Sequence, residues 1–215
     1  MHVTITSDKI ELPPGGEIVL RHQTWADYEA LLASRSNRAA IKLYFDATTQ
    51  EIRIMSPLPG HGNRSDSLAD LVKILLRSQQ QDWHSFDPIT LKQFGQAGLE
   101  PDACFYIQNR TAILGKEQID LTVDPPPDLA LEIDQTSSTK PSDYVPIAVP
   151  ELWIYRRKTL HIYLFDSQQY QESSESPLFP GLPVRQLIPQ FVERAWEAGS
   201  SVALREFEQV LQPFF

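Results

Sequence analysis

The sequence predicts an α/β (α+β) protein with a central mixed β-sheet flanked by helices. Three observations predict it. Leu68, Leu71, Val72, Leu75 and Leu76 recur at helical spacing, with Asp70, Lys73 and Arg77 elsewhere on the surface, so 65–80 is the strongest amphipathic helix in the chain. Short runs rich in β-branched and aromatic residues read as strands, among them KLYFD (42–46), LALEID (129–134) and TLHIYLF (159–165). Prolines cluster between such runs, at Pro57 and Pro59, Pro125 to Pro127, and Pro177, Pro180 and Pro183, where they stiffen loops. Strands interspersed with helices place the 65–80 helix on a face of the sheet.

The elements follow in order. Residues 1–23 read as an arm or edge strand. Thr24 can cap a helix through Trp25, Tyr28, Leu31 and Leu32, which share a face. KLYFD and EIRIM (51–55) flank a polar turn and form a hairpin; SPLPGHG (56–62) is a loop leading into the long helix. ITLKQF (89–94) is a strand, and ACFYI (103–107) follows Pro101-Asp102, since proline is tolerated at the start of a strand. LALEID emerges directly behind the triple proline. A helix covers part of 140–148, with Pro146 able to kink it. ELWIY (151–155) and TLHIYLF form a second hairpin around Arg156-Arg157-Lys158. Residues 166–187 are irregular, and 189–212 reads as one or two helices with Phe191, Trp196, Leu204, Phe207 and Leu211 inward. The organisation expected is an arm (1–23), a domain (24–190) and a helical extension packed on it (191–215).

Composition bounds the function. With 215 residues, 41% hydrophobic, ten Phe, seven Tyr and four Trp, the chain can bury a real core as a single domain. The lone cysteine, Cys104, excludes an intrachain disulfide or a multi-cysteine zinc site, and reads as buried and inert. No apolar run approaches the roughly 20 residues that span a bilayer, and the N-terminus lacks a basic-then-apolar signal; the expectation is a soluble, cytoplasmic protein with no membrane partner. Lys plus Arg is 19 and Asp plus Glu 28, so the net charge is −9. That argues against holding nucleic acid by blanket charge, though a local basic cleft remains compatible with it.

The chemistry concentrates on LALEID. Side chains alternate along a strand, so Leu129, Leu131 and Ile133 face one way and Ala130, Glu132 and Asp134 the other. Two carboxylates aimed at one space meet water, a cation or a metal, because unpaired buried carboxylates are costly; the alternative is a solvated sheet edge. Magnesium characteristically takes one or two carboxylates plus waters and phosphate oxygens. Asp102, entering the ACFYI strand on the face of Cys104 and Tyr106, would join Glu132 if the two strands are neighbours; otherwise Pro101-Asp102 is an ordinary turn.

The run EPDACFYIQN, then PPDLALEIDQTSS, then VPELWIYRRKTLHIYLF resembles the Uma-type family of restriction endonucleases, placed in the PD-(D/E)XK nuclease superfamily. The resemblance rests on Pro101-Asp102, Pro127-Asp128-Leu129, Glu132, Thr136-Ser137-Ser138 and Val149 to Trp153, with His61 in SPLPGHG, and covers roughly 24–190. It implies a restriction-endonuclease-like core and hydrolysis of DNA phosphodiesters. It also implies Asp102 and Glu132 as ligands of Mg2+ (or Mn2+), joined by the backbone carbonyl of Ile133. A homodimer is expected because cutting a duplex needs two sites. The superfamily's lysine, two after the glutamate, is replaced here by Asp134. Either Lys140, near the start of the next helix, reaches back in its place, or Asp134 is a third ligand; each has a plain alternative, a loop lysine or a turn-capping aspartate.

Weaker candidates are His61, Lys92, and Arg156, Arg157 and Lys158 at a hairpin tip, for each of which a solvated side chain is the plainer reading. Phe207, Phe214 and Phe215 could offer a dimer surface or simply core. Two rival functions stay open: a nuclease-derived binding or scaffold protein without catalysis, and a metal-dependent hydrolase of a smaller phosphate ester.

Overall fold

A computed structural model of the chain describes residues 10, 12–35, 41–87, 89–134 and 139–214. Alternation along β2 (Lys42–Asp46) decides the layering: Leu43 and Phe45 pack under α1 (Trp25–Ser34), while Tyr44 joins a different core. Helix α1 starts where Thr24 and Asp27 cap each other reciprocally: Thr24 Oγ1 accepts from the Asp27 N–H, and the Asp27 carboxylate accepts from the Thr24 N–H at 2.8 Å. β2 pairs with β3 (Glu51–Met55) as the expected hairpin, and β1 (Glu17–Arg21) adds an edge strand to β3. On the other side of β2 come β6 (Ala97–Leu99) and β5 (Leu91–Gln93), giving a five-stranded sheet in the order β1-β3-β2-β6-β5. Gly98 is required in β6, because a Cβ there would lie 2.3 Å from the Tyr28 ring.

The second sheet has six strands: β11 (Tyr170–Ser173), β10 (Thr159–Phe165), β9 (Glu151–Arg156), β8 (Leu129–Asp134), β7 (Ala103–Tyr106) and β4 (His84–Phe86). Only β8 and β9 run parallel; the rest of this mixed sheet is antiparallel. Leu129, Leu131 and Ile133 face α2 (Pro59–Ser78), α4 (Val184–Ala198) and α5 (Ser200–Leu211). Ala130, on the opposite face of β8, packs with Tyr44, Leu91 and Leu99 of the first sheet and with Tyr144. The layers are therefore α1, first sheet, second sheet, and the α2–α4–α5 group, with a short helix α3 (Arg110–Ile113) beside β7.

The α/β expectation and mixed sheet are observed, but the strands divide between two stacked sheets instead of one. Other corrections are local. The SPLPGHG loop ends early: proline fits the first helical position, where no N–H is needed, so α2 begins at Pro59 and carries His61 in its first turn. Within 140–148 only a 3-10 turn forms, Pro141–Tyr144. Residues 166–187 include β11 and the start of α4. The tail is two helices, broken at Gly199, whose φ of +95° suits glycine. Trp196 is not inward: it is 51% exposed, with the Arg64 guanidinium over its ring at 4.7 Å. Phe207 is fully buried and belongs to the core, while Phe215 and Thr136 to Ser138 lie outside the described residues. Among the described residues no helix is long and apolar enough to cross a membrane.

Candidate active site

The stacking of the sheets turns Glu132 inward. It lies on the face of β8 that meets the first sheet and is 2% exposed, so this face is neither an edge nor solvated. Ala103 of β7 stands opposite Leu131, which places Asp102 opposite Glu132 on the neighbouring strand. The backbone fixes this pairing: the Asp102 N–H donates to the Leu131 carbonyl at 3.0 Å, and the Ile133 N–H donates to Asp102 Oδ2 at 2.7 Å. Asp102, Glu132 and the Ile133 backbone are thus brought together, and Asp102 is 5% exposed.

The cation facing these acids is one that sequence reasoning missed. Lys42, at the start of β2, donates its ammonium to Asp102 Oδ1 and is 13% exposed at its side chain. His61 Nε2 stands 3.2 Å from Asp102 Oδ2. Burial opposes charge on Asp102, but Lys42 and then His61 outweigh it and hold the carboxyl below its ordinary value. Burial likewise works to lower the Lys42 pKa, and the charges of Asp102 and Glu132 raise it above the ordinary lysine value. Lys42 is held indirectly by Glu100, a buried acid that accepts from the next residue's backbone, Leu43 N–H, at 3.0 Å. Glu100 also pairs with Arg35 at 2.6 Å and accepts from Thr90 Oγ1 at 2.7 Å, which anchors β2 to the segment entering β7.

Glu132 is short of positive charge. Its Oε1 accepts from the Tyr144 hydroxyl at 2.6 Å. The Tyr44 hydroxyl, with one proton to give, lies 3.0 Å from the Glu100 carbonyl and 3.5 Å from Glu132, so its bond to Glu132 is the weaker. Burial, partly offset by Lys42 and reinforced by Asp102, pushes the Glu132 carboxyl up to about 8.

A carboxyl raised in this way stabilises the fold while it is protonated. That contribution is fully present below its ordinary pKa of 4.5 and is lost as pH rises through about 8. In metal-free buffer, Glu132→Gln, which stays neutral and keeps an acceptor for Tyr144, should melt close to wild type at pH 5. At pH 9 it should melt on the order of 10 °C higher. Scanning calorimetry across that range checks this; a difference that does not grow with pH contradicts it.

The remaining sequence candidates lie elsewhere. Asp134 accepts from Arg156 Nε at 3.0 Å and from the Thr139 N–H at 3.0 Å, so it joins the end of β9 to the chain beyond β8. Lys140 is exposed, and the structure does not bring it to Asp102 or Glu132. Lys92 pairs with Glu29 at 3.0 Å. At the hairpin tip Arg156 is taken by Asp134 and Lys158 by Glu193 at 3.0 Å. Cys104 is buried and its thiol is pushed up to about 12, so it is inert as expected. Among the described residues no three or more His, Cys, Asp or Glu side chains are grouped to hold a metal ion. A pocket lined by Gly15, Gly16, Glu17, Lys42, Met55, Ser56, Pro57 and His61 opens next to the Lys42–Asp102–His61 cluster.

A family model named Uma2 and described as "Putative restriction endonuclease" matches residues 25–197. No curated protein matches the chain. Among solved structures, a chain titled "putative nuclease belonging to DUF820", from Anabaena variabilis ATCC 29413, is 16% identical. It aligns over 73% of this chain and 90% of its own with a TM-score of 0.49.

Proposed function

The chain belongs to the Uma2 family, whose model matches it from 25 to 197, and from that premise we propose that it is a metal-dependent endonuclease that hydrolyses DNA phosphodiester bonds at the Asp102–Glu132 site. The observation that carries this reading is the pairing of Asp102 and Glu132 across neighbouring strands, with a lysine on one and a shortage of positive charge on the other.

The donor set fits a hard divalent cation. A carboxylate has about four acceptor positions. Asp102 uses them for Lys42, His61 and the Ile133 N–H, and Glu132 for Tyr144 and weakly Tyr44, so both keep capacity. Two carboxylates, completed by waters and phosphate oxygens, are a usual holding for Mg2+. Asp102 and Glu132 would hold Mg2+ or Mn2+, with the Ile133 carbonyl as a further oxygen. Such an ion lowers the pKa of a bound water and stabilises charge on the scissile phosphate. The residues of the chain do the rest. Lys42 keeps Asp102 ionised and would offer its ammonium to the phosphate, the role left open where Asp134 replaces the superfamily's lysine. His61 orients Asp102 from α2. Glu100 and Arg35 hold β2, and so Lys42, against the two acids. Asp134 and Lys140 have no direct part in this scheme.

With a net charge of −9, binding must rest on this local cleft and on divalent ions, and should weaken steeply with salt. A homodimer would supply the second site that a duplex requires. The narrow pocket beside Lys42 and His61 favours a second reading, hydrolysis of a smaller phosphate ester. Incubating plasmid, single-stranded DNA and a model phosphodiester with the protein and Mg2+ or Mn2+ separates them. Metal-dependent DNA cleavage supports the nuclease; cleavage of the small ester alone supports the second reading; no turnover of any substrate contradicts both.

A further inference from the structure

Resting on that metal reading, we propose that Tyr144 is a positioning residue for Glu132: its hydroxyl pins Oε1 and leaves Oε2 for the cation. The 2.6 Å bond joins two groups that are almost wholly buried, and it is the strongest hydrogen bond Glu132 receives. A buried hydroxyl needs a partner, and any backbone carbonyl would serve; here it is directed at one of the two acids proposed to hold the ion. Tyr144 reaches Glu132 from the 3-10 turn in the β8–β9 crossover. That turn is itself anchored. Asp143 pairs with Arg53 of β3 at 2.5 Å and accepts from the Lys140 N–H at 3.1 Å. The Arg53 guanidinium also lies over the Tyr44 ring, 5.4 Å from its centre. The first sheet thus fixes the turn, and the turn fixes the carboxylate. Groups that hydrogen-bond a ligating side chain set its orientation, and their loss typically weakens metal binding by about 10–100-fold.

Tyr144→Phe removes only the hydroxyl. Calorimetric titration of Mn2+ into wild type and Tyr144→Phe should show about 10–100-fold weaker binding by the variant, with circular dichroism unchanged. The Mn2+ concentration giving half-maximal cleavage should rise by a similar factor, while cleavage at saturating Mn2+ is largely recovered. Asp143→Asn, which loosens the turn and leaves Tyr144 in place, should show a smaller loss in the same direction, and it carries the test if Tyr144→Phe does not fold. Equal Mn2+ affinity in variant and wild type overturns this inference alone, as does tighter binding or faster cleavage, which would mark Tyr144 as a plug. Absence of Mn2+ binding by wild type overturns the metal reading and this inference with it.

Discussion

Asp102→Ala and Glu132→Ala should each abolish Mg2+- or Mn2+-dependent DNA cleavage, a loss on the order of 10³-fold or more. The estimate follows from the several kcal/mol a metal contributes to transition-state charge, at about 1.36 kcal/mol per factor of ten. The two substitutions should differ in stability. Alanine at 132 removes a carboxylate that is costly to ionise where it is buried, whereas alanine at 102 leaves the Lys42 ammonium without the acid it binds. Asp102→Asn and Glu132→Gln retain the shape of the site and should be folded and inactive. A plasmid-nicking assay with circular dichroism as control reads both effects. Cleavage that survives both substitutions would place the chemistry elsewhere on the chain.

The second large effect is expected at Lys42. Lys42→Met keeps the length and apolar stem of the side chain and deletes the charge. It should reduce cleavage at saturating metal by at least about 10²-fold, the range typical for removing one group that stabilises developing charge. It should also cost about 3 kcal/mol of stability, because Asp102 is left buried with only His61 and the Ile133 N–H to hold its charge. Adding Asp102→Asn to Lys42→Met should restore much of the melting temperature and none of the activity. Lys140→Ala, at an exposed site away from the acids, should match wild type in both assays. The reverse pattern, a silent Lys42→Met and a dead Lys140→Ala, would return the lysine role to the loop after β8.

Lys42 shows where the sequence was legible and where it was not. The strand LALEID, the α2 helix and both hairpins are local patterns, and period and turn chemistry reveal them; the pairing of Asp102 with Glu132 needed one neighbouring strand, which only the resemblance suggested. Stacking of sheets is not local. In KLYFD, Lys42 and Tyr44 share a face that looks like the solvated side of a hairpin, and only the second sheet lying over it converts that face into the floor of the site. The signal available was Tyr44, a large aromatic on the same face as Lys42. Tyr144 was hidden for a related reason: a 3-10 turn has no periodicity to announce it, and the expected helix over 140–148 gave no ground for selecting that residue. Asp134 illustrates the opposite limit. Alternation placed it correctly beside Glu132, but whether it met a cation or Arg156 depended on β9, a parallel neighbour whose register no local pattern specifies.

The charge balance also takes on structural meaning. An excess of acids does not by itself oppose a phosphate substrate when two of them, Asp102 and Glu132, are buried between the sheets, one held by Lys42 and the other protonated up to about pH 8. A cation binding there competes with that proton, so metal affinity should be greatest in alkaline buffer. The most direct measurement is therefore calorimetric titration of Mn2+ at about pH 8.5 into wild type and into the folded Asp102→Asn and Glu132→Gln proteins. The Asp102–Glu132 account predicts one ion bound per chain by wild type and none at that site in either variant. No binding by wild type, or binding that both substitutions leave unchanged, would contradict it.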